Sequence, residues 1–225
     1  MKIDIITIFP NMFQSPFSES IIKRAIDKKL VQINIHNLRD WTKDKHRTVD
    51  DKPYGGGPGM VLKVDIIDAA LQDLKSPTSK IILLTPSGKL FNQKIAQKFA
   101  KEKHLILICG RYEGCDARVE KLVNEQISIG DYILSGGELA AAVVIDAIIR
   151  LLPGAVGKKE SVQNESFVNK LLDYPVYTRP EVYKKMRVPK ILLSGNHQEI
   201  QQWRHQKAKE KTQKFRPDLL KKAPL

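Results

Sequence analysis

Three loops of this sequence combine glycine with polar side chains in a way that suits ligand binding. They end strand-like runs and comprise residues 85–88, 110–114 and 128–137. Ligands of open α/β sheets bind at the carboxyl ends of strands, and glycine lets backbone amides approach a ligand closely. Each loop taken alone is more typical of an ordinary turn. The three together predict a small-molecule site.

Other short motifs exclude several classes of chemistry. None of the loops has the G-x-G-x-x-G pattern of dinucleotide sites, and residues 55–60 lack the Gly-Lys-Ser/Thr ending of a P-loop. Cys109 and Cys115 are too few for a zinc site made of cysteines alone, and their spacing is not C-x-x-C. We therefore expect reduced thiols that pack in the structure and take no part in catalysis.

The elements that must position these loops alternate between strands and helices. Apolar, β-branched runs predict four strands, at residues 3–9, 31–36, 80–85 and 105–109. Apolar spacing near 3.6 predicts four helices, at residues 20–28, 64–74, 92–101 and 116–123. Asn92 and Asp116 are suited to cap the last two helices. This alternation predicts an α/β domain with a mainly parallel sheet.

A strongly apolar helix is predicted at residues 138–152. Twelve of its 15 residues are apolar, so we expect it to be buried on most sides and to end at Pro153. It is shorter than the ~20 residues that a membrane span needs, and Asp146 and Arg150 interrupt it. No membrane association is expected. The start of the chain has an acid, Asp4, in its first apolar run and no small-residue cleavage site, which predicts a cytoplasmic protein.

Charge and composition separate a second region from the first. The chain carries 38 Lys and Arg and 25 Asp and Glu, a net charge of +13. Residues 184–222 hold 12 basic and 3 acidic residues, a net of +9, whereas residues 102–154 hold 5 and 8, a net of −3. Asn196 followed by Glu199 predicts the start of a basic helix that continues to about Lys211. Such a region fits phosphate-backbone binding, with a solvated lysine-rich face as the alternative.

Six sequence blocks resemble the bacterial tRNA (guanine-N1)-methyltransferases, and they occur in the family's order along nearly the whole chain. The blocks are His46-Arg-Thr-Val-Asp-Asp51, Tyr54-Gly-Gly-Gly-Pro-Gly-Met60, Cys109-Gly-Arg-Tyr-Glu-Gly114, Ser128-Ile-Gly-Asp-Tyr-Ile-Leu-Ser-Gly-Gly-Glu138, Tyr177-Thr-Arg-Pro-Glu181 and Leu193-Ser-Gly-Asn-His197. The resemblance implies an enzyme that uses S-adenosylmethionine to methylate N1 of guanosine 37, next to the tRNA anticodon, and releases S-adenosylhomocysteine.

The resemblance also implies an architecture. The family has an α/β domain of the SPOUT class with a deep trefoil knot and a mainly parallel sheet, followed by a small helical C-terminal domain, and it forms homodimers. On this chain the divisions would be a knotted cofactor-binding domain at 1–157, a mobile linker at 158–169 and a helical tRNA-binding domain at 170–225. Ordinary folds almost never thread the chain, so the knot is expected from the family alone.

Cofactor-binding residues are carried over position by position. They are Leu83, Leu84, Thr85, Pro86, Gly110, Tyr112, Ile129, Gly130, Asp131, Tyr132, Ile133, Leu134, Gly136 and Gly137. Apolar side chains can cover an adenine ring while free backbone groups satisfy its polar edge. Leu83 and Leu84 would serve equally as core residues of a strand.

Three residues match the family's catalytic positions. Arg150 would stabilise the negative charge that develops on guanine O6 as N1 loses its proton, with pairing to Asp146 as the structural alternative. Glu165 would be the general base, although the family has Asp at this place, and it could instead be a solvated linker acid. Glu113 would lie near the cofactor, and the matching acid of the family is linked to a requirement for Mg²⁺. Pairing with Arg111 or Arg118 is its structural alternative.

The tRNA anticodon arm is the expected partner. The residues matched to RNA contacts are His46, Arg47, Asp50, Arg179, Asn196 and Arg204. Two rival functions are a knotted methyltransferase that acts on ribosomal RNA and an RNA-binding module that has lost catalysis. The change from Asp to Glu165 keeps the second rival open.

Overall fold

The structure, a computed structural model, describes residues 1–157 and 165–220. The chain divides after Gly157 into two compact units, Met1–Gly157 and Lys158–Leu225. Residues 158–164 of the expected linker and residues 221–225 lie outside the described residues.

The first unit is built from strands and helices that alternate along the chain. Its strands are β1 (Lys2–Thr7), β2 (Gln32–Asn37), β3 (Asp50–Asp51), β4 (Val61–Leu62), β5 (Ser79–Leu90), β6 (His104–Cys109) and β7 (Glu125–Ser128). Its α-helices are α1 (Gln14–Phe17), α2 (Ser20–Asp27), α3 (Val64–Leu74), α4 (Gln93–Phe99) and α5 (Glu138–Ile149), and 3-10 helices cover Pro10–Phe13, Leu38–Trp41 and Ala117–Leu122.

Five strands form the central sheet in the order β2-β1-β6-β5-β7. All four neighbouring pairs run parallel, so the α/β class with a mainly parallel sheet is confirmed. Strands β3 and β4 form a separate antiparallel pair. Because parallel strands point the same way, the loops that follow β5, β6 and β7 leave the sheet at the same edge.

The sheet is covered on both faces, as its continuous apolar strands require. Successive residues of a strand point to opposite faces. Ile5 and Leu107 accordingly belong to a core that includes residues of α2, α4 and α5. Ile6 and Ile108 belong to a second core that includes residues of α3.

Several predicted elements agree closely with the structure. Helix α3 spans Val64–Leu74 as predicted. The side chain of Asn92 caps α4 by accepting hydrogen bonds from the backbone N–H groups of Lys94 and Ile95, at 3.0 and 3.1 Å. The helix predicted at 138–152 is α5, which ends at Ile149, three residues early, with Leu151 and Leu152 in the turn that follows.

Between β6 and the end of β7 the structure differs from the sequence prediction in two respects. Residues 116–123 do not form an α-helix: Asp116 caps a 3-10 helix, and the backbone is already extended at Val123. Such a short segment suits the tighter 3-10 winding, which proteins use in brief connections. Strand β7 was not among the predicted strands because Glu125, Gln126 and Ser128 leave it a single apolar residue.

Strand β5 contains an excursion that matters for the site. Its partner residue Ile127 on β7 lies opposite both Leu84 and Lys89, so residues 85–88 bulge out of the sheet. The bulge closes at Gly88, where an added Cβ would lie 2.4 Å from the backbone nitrogen of Ile127. Only glycine permits this approach, and it brings residues 85 and 86 to the edge of the sheet.

Among residues 165–220, the second unit has one long helix and a short hairpin. Its elements are β8 (Val182–Tyr183), β9 (Met186–Arg187), α6 (His197–Phe215) and 3-10 helices at Lys190–Leu193 and Pro217–Leu220. The predicted basic helix is present as α6 and extends four residues beyond Lys211. Asn196 caps it by accepting a hydrogen bond from the backbone N–H of Glu199, at 3.3 Å.

Helix α6 turns one narrow face inward. Ile200, Ala208 and Thr212 are buried on that face. The hydroxyl of Thr212 donates to the carbonyl of Ala208 at 2.7 Å and accepts from the backbone N–H of Leu172 at 2.8 Å. None of the described helices is both long enough and apolar enough to cross a bilayer.

Candidate functional site

A cavity of about 350 Å³ lies at the carboxyl ends of β5, β6 and β7. Its walls come from the bulge of β5, the loop after β6 and the segment from the end of β7 to the start of α5. Its volume lies in the ~300–1,000 Å³ range of small-molecule sites. The three glycine-bearing loops of the sequence therefore meet around one cavity.

Nearly all of the predicted cofactor-binding residues line this cavity. The lining includes Leu83, Leu84, Thr85, Pro86, Gly110, Tyr112, Ile129, Gly130, Tyr132, Ile133, Leu134, Gly136 and Gly137. Asp131 is not among the lining residues and is exposed. Glu113, predicted to lie near the cofactor, is in the wall.

The sequence analysis missed part of the wall. The lining residues without a prediction are Arg111, Gly114, Cys115, Asp116, Glu120, Ile127, Ser128, Ser135 and Ala140. Arg111 and Ser135 each lie between two residues that were predicted to bind the cofactor. Their place within these motifs could have identified them as part of the wall. Ile127 could not be found in this way because the strand that carries it was not predicted.

Gly137 is required where α5 begins against the end of β6. Its backbone N–H donates to the carbonyl of Gly110 at 2.8 Å. A Cβ at this position would lie 2.8 Å from Cys109 Cα and 3.0 Å from Gly110 nitrogen. Because both contacts are with backbone, any larger residue must push α5 away from β6 and open the wall of the cavity.

Glu113 is fixed against the glycine-rich loop at residues 55–60. Its backbone N–H donates to the carbonyl of Met60 at 3.0 Å. An added Cβ at Gly59, where φ is +81°, would lie 2.6 Å from Glu113 Cγ and Oε1. The arginines considered as alternative partners are engaged elsewhere, since Arg111 pairs with Glu138 and Arg118 with Asp116.

The two cysteines near the cavity are unreactive at neutral pH. Burial raises the pKa of Cys109 well above its usual value and raises the pKa of Cys115 to about 12. Both are free cysteines. Since the thiolate is the nucleophilic form, the cavity offers no cysteine nucleophile, which agrees with the packing role expected for both.

The charges of the cavity wall are unequal. Among the described residues that line it, the acids are Glu113, Asp116 and Glu120, and the only Lys or Arg is Arg111. Hydrogen bonds from Arg118 hold the pKa of Asp116 down to about 2, so this carboxylate stays ionised. The wall therefore suits a ligand with excess positive charge and one negative group.

Arg150 lies apart from the cavity. It caps the carboxyl end of α5, whereas Ala140 in the first turn of the helix lines the cavity. Ten residues of α-helix separate the two, about 15 Å along the axis. The structure therefore does not bring Arg150 to this cavity.

The second unit brings some of the predicted RNA contacts together. Arg179 and Arg204 line one cavity of about 530 Å³ with Tyr174 and Tyr177. The guanidinium of Arg204 lies over the Tyr174 ring, 4.9 Å from its centroid. Its Nε is the one buried side-chain nitrogen or oxygen of the described residues that has no hydrogen-bond partner.

Glu165 is half-buried in the same unit. It lines a smaller cavity of about 230 Å³ together with Asp173, Tyr174, Arg204 and His205.

The N-terminal candidates lie in the first unit. Arg47 is exposed and pairs with Asp40, and its carbonyl accepts from Arg39 Nη1 at 2.9 Å. His46 is exposed, and Asp50 belongs to β3.

Metal ligands are sparse. Within residues 1–157 and 165–220, no three His, Cys, Asp or Glu side chains are grouped so that they could hold a metal ion. Glu113 alone is not a Mg²⁺ site.

Fold and cavity define the chain as an α/β protein with a cavity made of glycine-bearing loops at one edge of a parallel sheet. The family model described as tRNA (Guanine-1)-methyltransferase TrmD matches residues 1–222. The chain belongs to this family, so the resemblance found in the six motifs is confirmed.

Relatives match this chain over more than nine-tenths of their own length. A protein of Dictyoglomus turgidum named tRNA (guanine-N(1)-)-methyltransferase is 56% identical over 100% of this chain and 92% of its own length. Proteins of the same name from Dehalococcoides mccartyi strain BAV1 and Mycoplasmopsis synoviae are 54% and 55% identical, over 100% and 99% of this chain and 92% and 98% of their own lengths.

Proposed function

We propose that this protein transfers the methyl group of S-adenosylmethionine to N1 of guanosine 37 of tRNA, the nucleotide that follows the anticodon. Family membership over residues 1–222 carries the proposal. The cavity supports it because its lining holds 13 of the 14 residues expected to bind the cofactor.

The residues of the cavity fit this cofactor. Its adenosine can lie against the apolar side chains of Leu83, Ile129 and Leu134, with the backbone of the loops available to its polar edge. The carboxylates of Glu113, Asp116 and Glu120 suit a ligand that carries a sulfonium and an ammonium group. When bound, the cofactor supplies an electrophilic methyl group on its sulfur atom.

The nucleobase chemistry needs a base and a cation. We assign the base to Glu165, whose carboxylate takes the proton of guanine N1. Glu165 is in the second unit, and its longer side chain replaces the Asp expected from the family. We assign the cation to Arg150, whose guanidinium balances the negative charge that develops on O6. Because one carboxylate at Glu113 is no metal site, no step is assigned to Mg²⁺.

A homodimer is part of the proposal. Helix α5 is apolar and mostly buried, yet Leu139 and Val143 are 53% and 50% exposed. Positions 139, 143, 146 and 150 follow one another at helical spacing, so the half-buried Arg150 continues the line of this exposed stripe. A second copy covering the stripe would bury both side chains and would let Arg150 act on a guanine held at the interface between protomers.

The remaining family features follow as parts of the same proposal. The first unit would have the deep trefoil knot of the SPOUT class, and residues 158–169 would act as a linker that tRNA orders. The second unit would bind the anticodon arm through Arg179, Asn196, Arg204 and the lysines of α6. His46, Arg47 and Asp50 would add contacts from the first unit. The enzyme would work in the cytoplasm, where tRNA is matured.

The decisive experiment is methyl transfer to defined RNA. Purified protein is incubated with labelled S-adenosylmethionine and a tRNA transcript with G37, the same transcript with A37, or ribosomal RNA. Incorporation only with G37, mapped to N1 of that base, is expected. Incorporation into ribosomal RNA alone would favour the first rival. Cofactor binding without any transfer would favour an RNA-binding module that has lost catalysis.

Glu165→Gln tests the base separately. Single-turnover methylation should fall by ~10²-fold or more, the contribution typical of a general base. A rate within twofold of wild type would remove Glu165 from the mechanism. Glu199→Gln, on the exposed first turn of α6 in the same unit, is the matched control.

A further inference from the structure

Arg111 is held by a buried carboxylate at the wall of the cavity. Its Nε donates to Glu138 Oε2 at 3.0 Å. Glu138 is 1% exposed, and its other oxygen accepts from the hydroxyl of Thr7 at 2.8 Å. The hydroxyl of Thr7 in turn accepts from the backbone N–H of Phe9 at 2.9 Å. These bonds join the ends of β1 and β6 to the first turn of α5.

The surroundings leave Arg111 little freedom. Its guanidinium stacks on the ring of Phe9, 4.6 Å from the centroid. A Cβ at Gly136 would lie 2.2 Å from Arg111 Nε and 2.6 Å from Glu138 Oε2, so only glycine leaves room for the pair. Arg111 and Gly136 are also joined as an isolated antiparallel bridge. The position of the guanidinium is therefore fixed by the Phe9 ring, by Glu138 and by the backbone at Gly136.

Arg111 has guanidinium N–H groups that are available for further hydrogen bonds. A guanidinium carries five N–H groups. Nε donates to Glu138 and Nη2 donates one bond to Met12 Sδ at 3.1 Å. The other three N–H groups have no hydrogen-bond partner among the described residues. Nη1, which carries two of them, is not sealed from solvent, because Arg204 Nε is the one sealed and unpartnered side-chain atom among the described residues.

We propose that Arg111 binds the carboxylate at the amino-acid end of the methyl donor, and that Glu138 and Thr7 are positioning residues that hold it there. The inference rests on the proposed function. Arg111 is the only cation among the described lining residues, and a guanidinium matches a carboxylate with two parallel hydrogen bonds. The acidic residues of the same wall can then interact with the sulfonium and ammonium groups of the donor.

Calorimetry with two ligands tests the assignment on the full-length chain. S-Adenosylhomocysteine keeps the carboxylate, and its decarboxylated analogue differs only by lacking it. Wild-type protein should bind the first at least tenfold more tightly. Arg111→Gln should weaken binding of S-adenosylhomocysteine at least tenfold and change the Kd of the analogue less than twofold. Arg24→Gln, at an exposed arginine of α2 outside the cavity wall, should change neither Kd.

The positioning role has its own signature. Glu138→Gln should weaken S-adenosylhomocysteine binding three- to tenfold in the wild-type background and have no further effect on Arg111→Gln. Equal weakening of both ligands by Arg111→Gln would overturn the inference, because it would show a general disturbance of the cavity. If Arg111→Gln does not fold, Arg111→Lys replaces it: this variant keeps the charge but not the two parallel hydrogen bonds, so it should bind S-adenosylhomocysteine more weakly than wild type and change the Kd of the analogue less than twofold. Equal weakening of both ligands by Arg111→Lys would also overturn the inference.

The two proposals fail in different ways. Wild-type protein that methylates G37 but binds both ligands equally would overturn the carboxylate assignment alone. Wild-type protein that binds neither ligand would overturn the proposed function and this inference with it.

Discussion

Replacing Asp4 by asparagine should destabilise the first unit without touching the cofactor cavity. Asp4 is fully buried in β1, near the amino end of the sheet, and the cavity lies at the carboxyl ends of the strands. The donors around its carboxylate are Lys2 Nζ at 2.8 Å, His36 Nε2 at 3.0 Å, Asn34 Nδ2 at 2.7 Å and His104 Nε2 at 2.6 Å. An asparagine would place an N–H₂ group among donors that need an acceptor.

The protonation pattern follows from the carboxylate. Because ionised Asp4 can only accept, Nε2 of both His36 and His104 must carry the proton. The other ring nitrogen of His104, Nδ1, lies 2.6 Å from the hydroxyl of Ser79. Burial alone would raise the pKa of Asp4, but its hydrogen bonds, that from His36 foremost, hold the pKa well below the usual 3.8.

The size of the effect follows from the burial. Leaving buried donors without their acceptor costs ~1–3 kcal/mol. For a unit of this size each kcal/mol shifts Tm by ~2–4 °C, so Asp4→Asn should lower Tm by about 2–12 °C at pH 7. Asp27→Asn is the control, because it removes an exposed pair with Lys23 and should cost ~0.5 kcal/mol or less.

The pH dependence gives a second check. The pKa of Asp4 is lower in the folded than in the unfolded protein, so its stabilisation is fully present above about pH 4 and is lost as the pH falls further. Calorimetric unfolding at pH 7 and at pH 3 should therefore show a difference between wild type and Asp4→Asn that shrinks in acid. A Tm within 2 °C of wild type at pH 7 would refute the reasoning.

Three further perturbations test other parts of the structure. Gly137→Ala should weaken S-adenosylhomocysteine binding at least tenfold in calorimetry, because its Cβ would meet Cys109 Cα at 2.8 Å; an unchanged Kd would contradict the close approach. Thr212→Val should cost the second unit ~1–3 kcal/mol and speed amide exchange in α6, because the Leu172 N–H loses its acceptor; unchanged exchange would count against that anchor. Because burial raises the pKa of Cys115 to about 12, its alkylation followed by mass spectrometry should accelerate about tenfold per pH unit from pH 8 to 11; a plateau near pH 9 would show an ordinary thiol.

The central sheet could be predicted from sequence because its strands carry their own signal. Residues 105–109 form an unbroken apolar run, and in the structure every residue of β6 is buried. Strand β7 has no such signal, since the sequence Glu-Gln-Ile-Ser becomes a strand only through pairing with β5. For helix α5 the sequence predicts too much burial. Its apolar composition indicates a helix buried on most sides, but the structure shows that Leu139 and Val143 are exposed.

The cavity was predictable where a contact lies within one motif and unpredictable where it joins distant ones. Tyr112 and Gly137 were found because each belongs to a recognisable loop. The bond between Thr7 and Glu138 joins residues 131 positions apart, and neither side chain signals it in the sequence. The same holds for Asp4 and His104, 100 positions apart, whose hydrogen bond exists only because β1 and β6 are neighbours in the sheet.

The placement of the assigned groups has a consequence for the order of binding. The described residues that line the cavity all belong to the first unit, so we expect the cofactor to bind without tRNA and without the second unit. Arg150 and Glu165, by contrast, are assigned to the nucleobase and belong to the far end of α5 and to the second unit. Substitutions at these two positions should therefore lower the rate of methyl transfer and leave the Kd of S-adenosylhomocysteine unchanged in calorimetry. A tenfold weaker Kd for Arg150→Ala would show that cofactor binding and base chemistry share their residues.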